Sequence, residues 1–147
     1  MVCTFFGHRF VQDEIEPALM STLTDLIEKH GVTLFYVGNH GGFDSMVCRA
    51  LKKLAKSYSI DYRIVLAYMP AKKSYSDATD YSKSILPNGI ETVPKRFAIS
   101  FRNKWMILQS DYVVTYVTHS LGSSAAQFKA MAQKKGKTVI ELSRETD

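Results

Sequence analysis

The sequence predicts an α/β domain, a mostly parallel sheet of about five strands with helices packed on both faces. Two observations carry this. Short apolar runs alternate with longer amphipathic stretches from one end to the other. The runs are continuously apolar rather than alternating, the pattern of strands buried on both faces.

Taken in order, residues 2–6 form a β-type run that stops at Gly7. Residues 13–30 set Ile15, Leu19, Leu23, Leu26 and Ile27 on one helical stripe, and Gly31 ends it. Residues 33–37 (TLFYV) read as a buried strand closed by Gly38. The next stripe comprises Phe43, Met46, Val47, Ala50, Leu51, Leu54 and Tyr58, and a third strand follows at 63–67 (RIVLA). A helix at 99–110 presents Phe101, Trp105 and Leu108 together. Residues 112–117 (YVVTYV) are the fourth strand, 123–135 a helix, and 138–142 (TVIEL) the fifth strand.

Between the third strand and the following helix, residues 68–98 hold Pro70, Pro87, Gly89 and Pro94 without a clear period. A loop of that length is uncommon in a compact domain unless it is functional or mobile. A lid over a ligand and a variable surface excursion with one helical turn near 76–83 both fit. No repeat and no domain linker is visible, so residues 1–147 are expected to form one domain.

Composition excludes several classes. With 46% hydrophobic and 22% charged residues the chain is too apolar for a disordered one. Its longest apolar runs are far too short to span a bilayer, so no membrane association is expected. The start Met1-Val2-Cys3-Thr4-Phe5-Phe6 shows no basic n-region or cleavage pattern, which predicts a cytoplasmic protein. Cys3 and Cys48 read as reduced core residues, and the four histidines lack metal-site spacing. Neither a metal nor a resident cofactor is expected. The net charge of +5 permits an anionic partner without requiring one.

In open parallel sheets, ligands bind beyond the carboxyl ends of the strands. That rule selects Gly7-His8-Arg9, then Gly38-Asn39-His40-Gly41-Gly42-Phe43-Asp44, then Tyr68-Met69-Pro70, and then Thr118-His119-Ser120-Leu121-Gly122-Ser123-Ser124. Gly122, Ser123 and Ser124 at a helix start suit a phosphate, since free N–H groups and the helix dipole favour an anion there. Gly41 and Gly42 suit a second polar contact. Asp44 either caps its helix or holds a sugar hydroxyl. Arg9 suits bidentate phosphate recognition or a surface ion pair, and His119 is a ligand donor or a plain loop residue. Arg102 and Asn103, on an otherwise apolar helix, imply a semi-buried polar contact. No dinucleotide fingerprint and no Walker motif occurs, which speaks against NAD binding and ATP hydrolysis.

The elements Gly7-His8-Arg9, Phe35-Tyr36-Val37-Gly38 with Gly41-Gly42-Phe43-Asp44, Arg102-Asn103-Lys104-Trp105-Met106 and the turn at 120–122 resemble the SLOG superfamily. This Rossmann-like group includes the LOG (Lonely Guy) phosphoribohydrolases and DprA-like DNA-processing proteins. The similarity is closest to small bacterial and phage members and spans residues 2 to 142. It implies a sheet ordered 3-2-1-4-5 and a nucleotide-type ligand at Gly7, His8, Arg9, Gly38, Asn39, Gly41, Gly42, Phe43, Asp44, Arg102, Asn103, Thr118, His119, Gly122, Ser123 and Ser124. LOG enzymes carry Pro-Gly-Gly-x-Gly-Thr-x-x-Glu after the fourth strand. Here Ser120-Leu121-Gly122-Ser123-Ser124-Ala125-Ala126-Gln127 stands in its place, without the carboxylate.

The leading expectation is therefore a nucleotide-binding module, a sensor or sequestering protein. The alternative is an N-glycosidase acting on nucleoside monophosphates with Asp44 or Glu91 as its acid. A third reading is single-stranded DNA binding through Arg9, Lys72, Lys73, Lys95 and Arg96. Apolar residues around most of the segment 96–110 predict a homodimer.

Overall fold

The computed structural model describes residues 1–68, 81–119 and 123–143. Its sheet is all parallel and has six strands in the order β4-β3-β2-β1-β5-β6. These are β1 (Val2–Gly7), β2 (Leu34–Val37), β3 (Asp61–Val65), β4 (Ser84–Ile85), β5 (Tyr112–Tyr116) and β6 (Thr138–Glu141). The helices are α1 (Glu16–His30), α2 (Gly42–Leu54), α3 (Lys95–Gln109) and α4 (Ser124–Lys134). The five strands read from the sequence lie in the order implied by the resemblance. The sixth, β4, is a two-residue edge strand within the stretch read as a long loop.

Strand β1 explains why the sheet is covered twice. Alternation along an extended chain sends Cys3 and Phe5 to one side and Phe6 to the other. Cys3 and Phe5 join a core with Leu19, Leu23 and Leu26 of α1 and Phe43, Met46, Val47, Ala50 and Leu51 of α2. Phe6 joins a second core with Met106 and Ile107 of α3, Phe128 and Ala132 of α4, and Val113. The leucines of α1 recur at the spacing of one helical face, and burying each contributes about 1.5–3 kcal/mol.

Several boundaries differ from the sequence reading, among them the end of α2, which stops at Leu54 and does not reach Tyr58. The first helix is split into a 3-10 turn at Asp13–Ile15 and α1, which begins with Pro17 in its first turn. Strand β3 runs Asp61–Val65 rather than 63–67 because Leu34 of β2 pairs with Asp61. Asp61, though charged, is held there by Arg63 at 2.9 Å and Lys83 at 3.0 Å. Helix α3 starts at Lys95, directly after Pro94, four residues earlier than its apolar stripe suggests. The described part of the long loop also holds 3-10 turns at Tyr81–Lys83 and Ile90–Thr92. Of the expected lid region at 68–98, residues 69–80 lie outside the described residues. Among the described residues, no helix is long and apolar enough to cross a membrane.

Candidate functional site

The carboxyl ends of β1 and β5 and the start of α4 enclose a cleft of about 660 Å³. Gly7, His8, Arg9, Thr118, His119, Ser123 and Ser124 line it, so seven of the residues selected from the sequence come together. Phe10, Val11, Gln12, Tyr116 and Ala125 complete its walls. A second hollow of about 850 Å³ adjoins along Gln12, Tyr116 and Thr118 and reaches Glu14, Ser21 and Thr22 by the start of α1.

The cleft is cationic and rich in donors. Arg9 is exposed, and its guanidinium makes no hydrogen bond or ion pair among the described residues. At the start of α4, Ser123 Oγ accepts the Ala126 N–H at 3.1 Å. The N–H groups of Ser124 and Ala125 make no hydrogen bond to another described residue. Unsatisfied N–H groups at a helix start attract anions.

His8 is fixed in one tautomer. The Thr118 N–H donates to its Nε2 at 2.8 Å. A backbone N–H can only donate, so Nε2 is the acceptor and the ring proton sits on Nδ1. Nδ1 lies 3.5 Å from Ser123 Oγ. A protonated Nδ1 cannot remove the hydroxyl proton, which excludes a Ser–His nucleophilic pair in this arrangement. His119 stacks on His8 with ring centroids 4.2 Å apart. Burial first, then the neighbouring His119, lowers the His8 pKa, with Glu141 opposing.

The loop after β2 does something different from what its glycines suggest. The Gly42 N–H donates to the Arg9 carbonyl at 2.6 Å, and the His40 N–H donates to Asp44 Oδ2 at 3.1 Å. The first N–H of α2 is thus spent on its own chain, and Asp44 ties the helix to His40, the residue before the N-cap Gly41. A Cβ on Gly42 would lie 2.6 Å from the Arg9 carbonyl, and one on Gly7 would collide with the Phe43 ring. Phe43 itself is fully buried in the α1–α2 core.

Asp44, Arg102 and Asn103 line a recess of about 100 Å³ with His40; it adjoins the cleft, sharing Gly7, Ser124 and Ala125 with it. Arg102 is only 2% exposed, deeper than its expected semi-buried contact. Its Nε donates to Asn103 Oδ1 at 2.8 Å, and Nη1 donates to Asn39 Oδ1 at 3.0 Å and to the Val65 carbonyl at 2.9 Å. Nη2 lies 3.3 Å from His40 Nδ1, which must accept because a guanidinium has no acceptor. Burial lowers the His40 pKa, and Arg102 and Arg9 reinforce this. Burial pushes the Asp44 carboxyl up to about 6, against the His40 N–H bond and the Arg102 charge. Gly38 lies between the two, since a Cβ there would be 2.7 Å from Asp44 Oδ2 and 3.2 Å from Arg102 Cζ.

Sequence reasoning missed Glu141. Its carboxylate accepts from Thr115 Oγ1 at 2.6 Å, the Val117 N–H at 2.9 Å and the Ser143 N–H at 2.9 Å, and pairs with Lys129 at 2.8 Å. Burial acts against the charge, but these bonds prevail and hold its pKa below the ordinary value. An acid near the end of the otherwise apolar run 138–142 is the signal that pointed to it. Phe10 was missed as well, an aromatic side chain 86% exposed in the cleft wall. Glu91 is exposed and lines neither the cleft nor the recess. Gly122 and the rest of the 120–122 turn lie outside the described residues. Among the described residues, no three His, Cys, Asp or Glu side chains group to hold a metal.

No protein-family model matches the sequence, and the search of curated proteins finds no match.

Proposed function

We propose that the protein binds a phosphate-bearing, nucleotide-type small molecule in the cleft at the carboxyl edge of the sheet, as a SLOG-like sensor or sequestering module. The observation that carries the reading is the convergence of the unpaired Arg9 guanidinium with the start of α4 in one cleft of about 660 Å³. A guanidinium and helix N–H groups together suit a phosphate. The exposed Phe10 ring in the same wall suits a planar base. The cleft volume falls in the usual range of small-molecule sites.

Binding is favoured over glycosidic hydrolysis by the position of the acid. Asp44, the carboxyl raised to about 6, lines the recess of about 100 Å³ and not the cleft. A space of that size holds a few waters and not a sugar with its base. Calorimetric titration with mononucleotides, cyclic nucleotides and ADP-ribose-type compounds tests the reading. At least one should bind, and Arg9→Ala should weaken it about tenfold, on the scale of one charge-assisted hydrogen bond. Failure of every phosphate-bearing compound to bind the folded protein refutes it. Release of free base from a nucleoside monophosphate would establish the enzymatic alternative instead.

A further inference from the structure

We infer that the groove between the C-terminal halves of α3 and α4 docks an acidic amphipathic helix of a partner protein. The groove, of about 510 Å³, has an apolar floor of Ile107, Leu108 and Met131 and a rim of Lys104, Lys134 and Lys135. Leu108 is 58% exposed, so a large apolar side chain faces water among three cations.

Charge distribution defines the occupant. Neither α3 (KRFAISFRNKWMILQ) nor α4 (SAAQFKAMAQK) contains a single Asp or Glu. The three rim lysines form no ion pair among the described residues, whereas Lys129, further back on α4, is paired with Glu141. The dipole at the end of α4 accounts for Lys134 and Lys135 but explains neither Lys104 nor Leu108. A helix with apolar residues at i, i+3 or i+4, and i+7 fills a groove between two helices, and flanking carboxylates meet the lysines. A second copy fits less well, because a two-fold contact would set these acid-free helices against each other and like charges would face across it. The groove lies at the opposite end of α4 from the cleft, about 15 Å along the helix, so docking there is separate from ligand binding.

The test is selection of a displayed library of randomised single helices against the protein, counter-selected on Leu108→Glu. Because Leu108 is exposed, that variant is expected to fold, which circular dichroism verifies. Enriched sequences should carry apolar residues at helical spacing flanked by Asp or Glu. A synthetic peptide of the enriched sequence should bind the wild type and lose about tenfold or more on Leu108→Glu and on the double variant Lys104→Glu/Lys134→Glu. Enrichment of neutral or basic helices, or equal binding to Leu108→Glu, overturns the inference. So does binding to phosphatidylserine vesicles or duplex DNA that Leu108→Glu abolishes, since either would assign the face to another class of partner. A dimer in light scattering that Leu108→Glu converts to monomer also overturns it, in favour of self-association.

Discussion

Replacing Asp44 by asparagine should make the protein more stable at neutral and alkaline pH and leave it unchanged in acid. Asparagine keeps an oxygen to accept the His40 N–H and resembles the protonated acid in shape. The carboxyl is displaced from its ordinary 3.8 to about 6, because burial outweighs the His40 bond and the Arg102 charge. At about 1.4 kcal/mol per tenfold change, ionised Asp44 penalises the folded state by about 3 kcal/mol. The sign follows from which state holds the proton. Between pH 4 and 6 the folded protein binds it and the unfolded chain does not, so this group's contribution to stability falls as pH rises through that window. Above pH 6 the penalty is complete, and below pH 4 it vanishes. Urea unfolding of both proteins at pH 8 and at pH 3.5 checks this. The variant should be more stable by about 3 kcal/mol at pH 8 and equal at pH 3.5. An Asp44→Asn protein less stable at pH 8 would show that the carboxylate is held by attraction to Arg102 and not strained by burial. The contributions of His8 and His40 are common to both proteins and cancel in the difference.

Gly7→Ala should lower stability by roughly 1–3 kcal/mol in thermal or denaturant melts, because its methyl meets the Phe43 ring; unchanged stability would refute this packing role. Ser124→Asp, at the exposed first position of α4, should raise the melting temperature slightly while weakening a phosphate-bearing ligand about tenfold, read by calorimetry. His8 has a lowered pKa, so its contribution to stability is whole above its ordinary 6.5 and is lost as pH falls below that value. Nitrogen-15 spectra at pH 7.5 should show a bare His8 Nε2, and acidification should lower the exchange protection factor of the Thr118 amide proton bonded to it.

The strands were legible because parallel strands buried on both faces must be apolar throughout, and β1, β2 and β5 are. Strand β4 was not, since two residues cannot display a pattern and Ser84–Ile85 is defined by pairing with Ile64 and Val65. The start of α3 was hidden because Lys95, Arg96 and Phe97 face outward and add nothing to the buried stripe. At the site, the sheet-edge rule selected Arg9, Thr118, His119 and Ser123, which line one cleft. It could not show that the Gly42 N–H is taken by the Arg9 carbonyl and the His40 N–H by Asp44. Those partners come from distant or sterically chosen positions, and glycine looks the same in sequence whether it admits a ligand or a neighbouring carbonyl. Phe43 illustrates the same limit, for its adjacency to the loop suggested contact with a ligand while its ring belongs to the core.

Glu141 ties the cleft to the order in which the chain is made. The rim at Val117 and Thr118 belongs to the end of β5, yet the carboxylate that secures the Val117 N–H and the Thr115 hydroxyl comes from β6. During synthesis, β1, β2 and β5 can pair and bury Phe5 and Phe35 well before residue 141 has emerged. Until it does, the Val117 N–H has no side-chain acceptor, and Thr118, whose own N–H must reach His8, continues from an unanchored residue. The chain can therefore begin its core before the rim of the cleft is secured, and the segment that secures the rim also completes the core through Leu142.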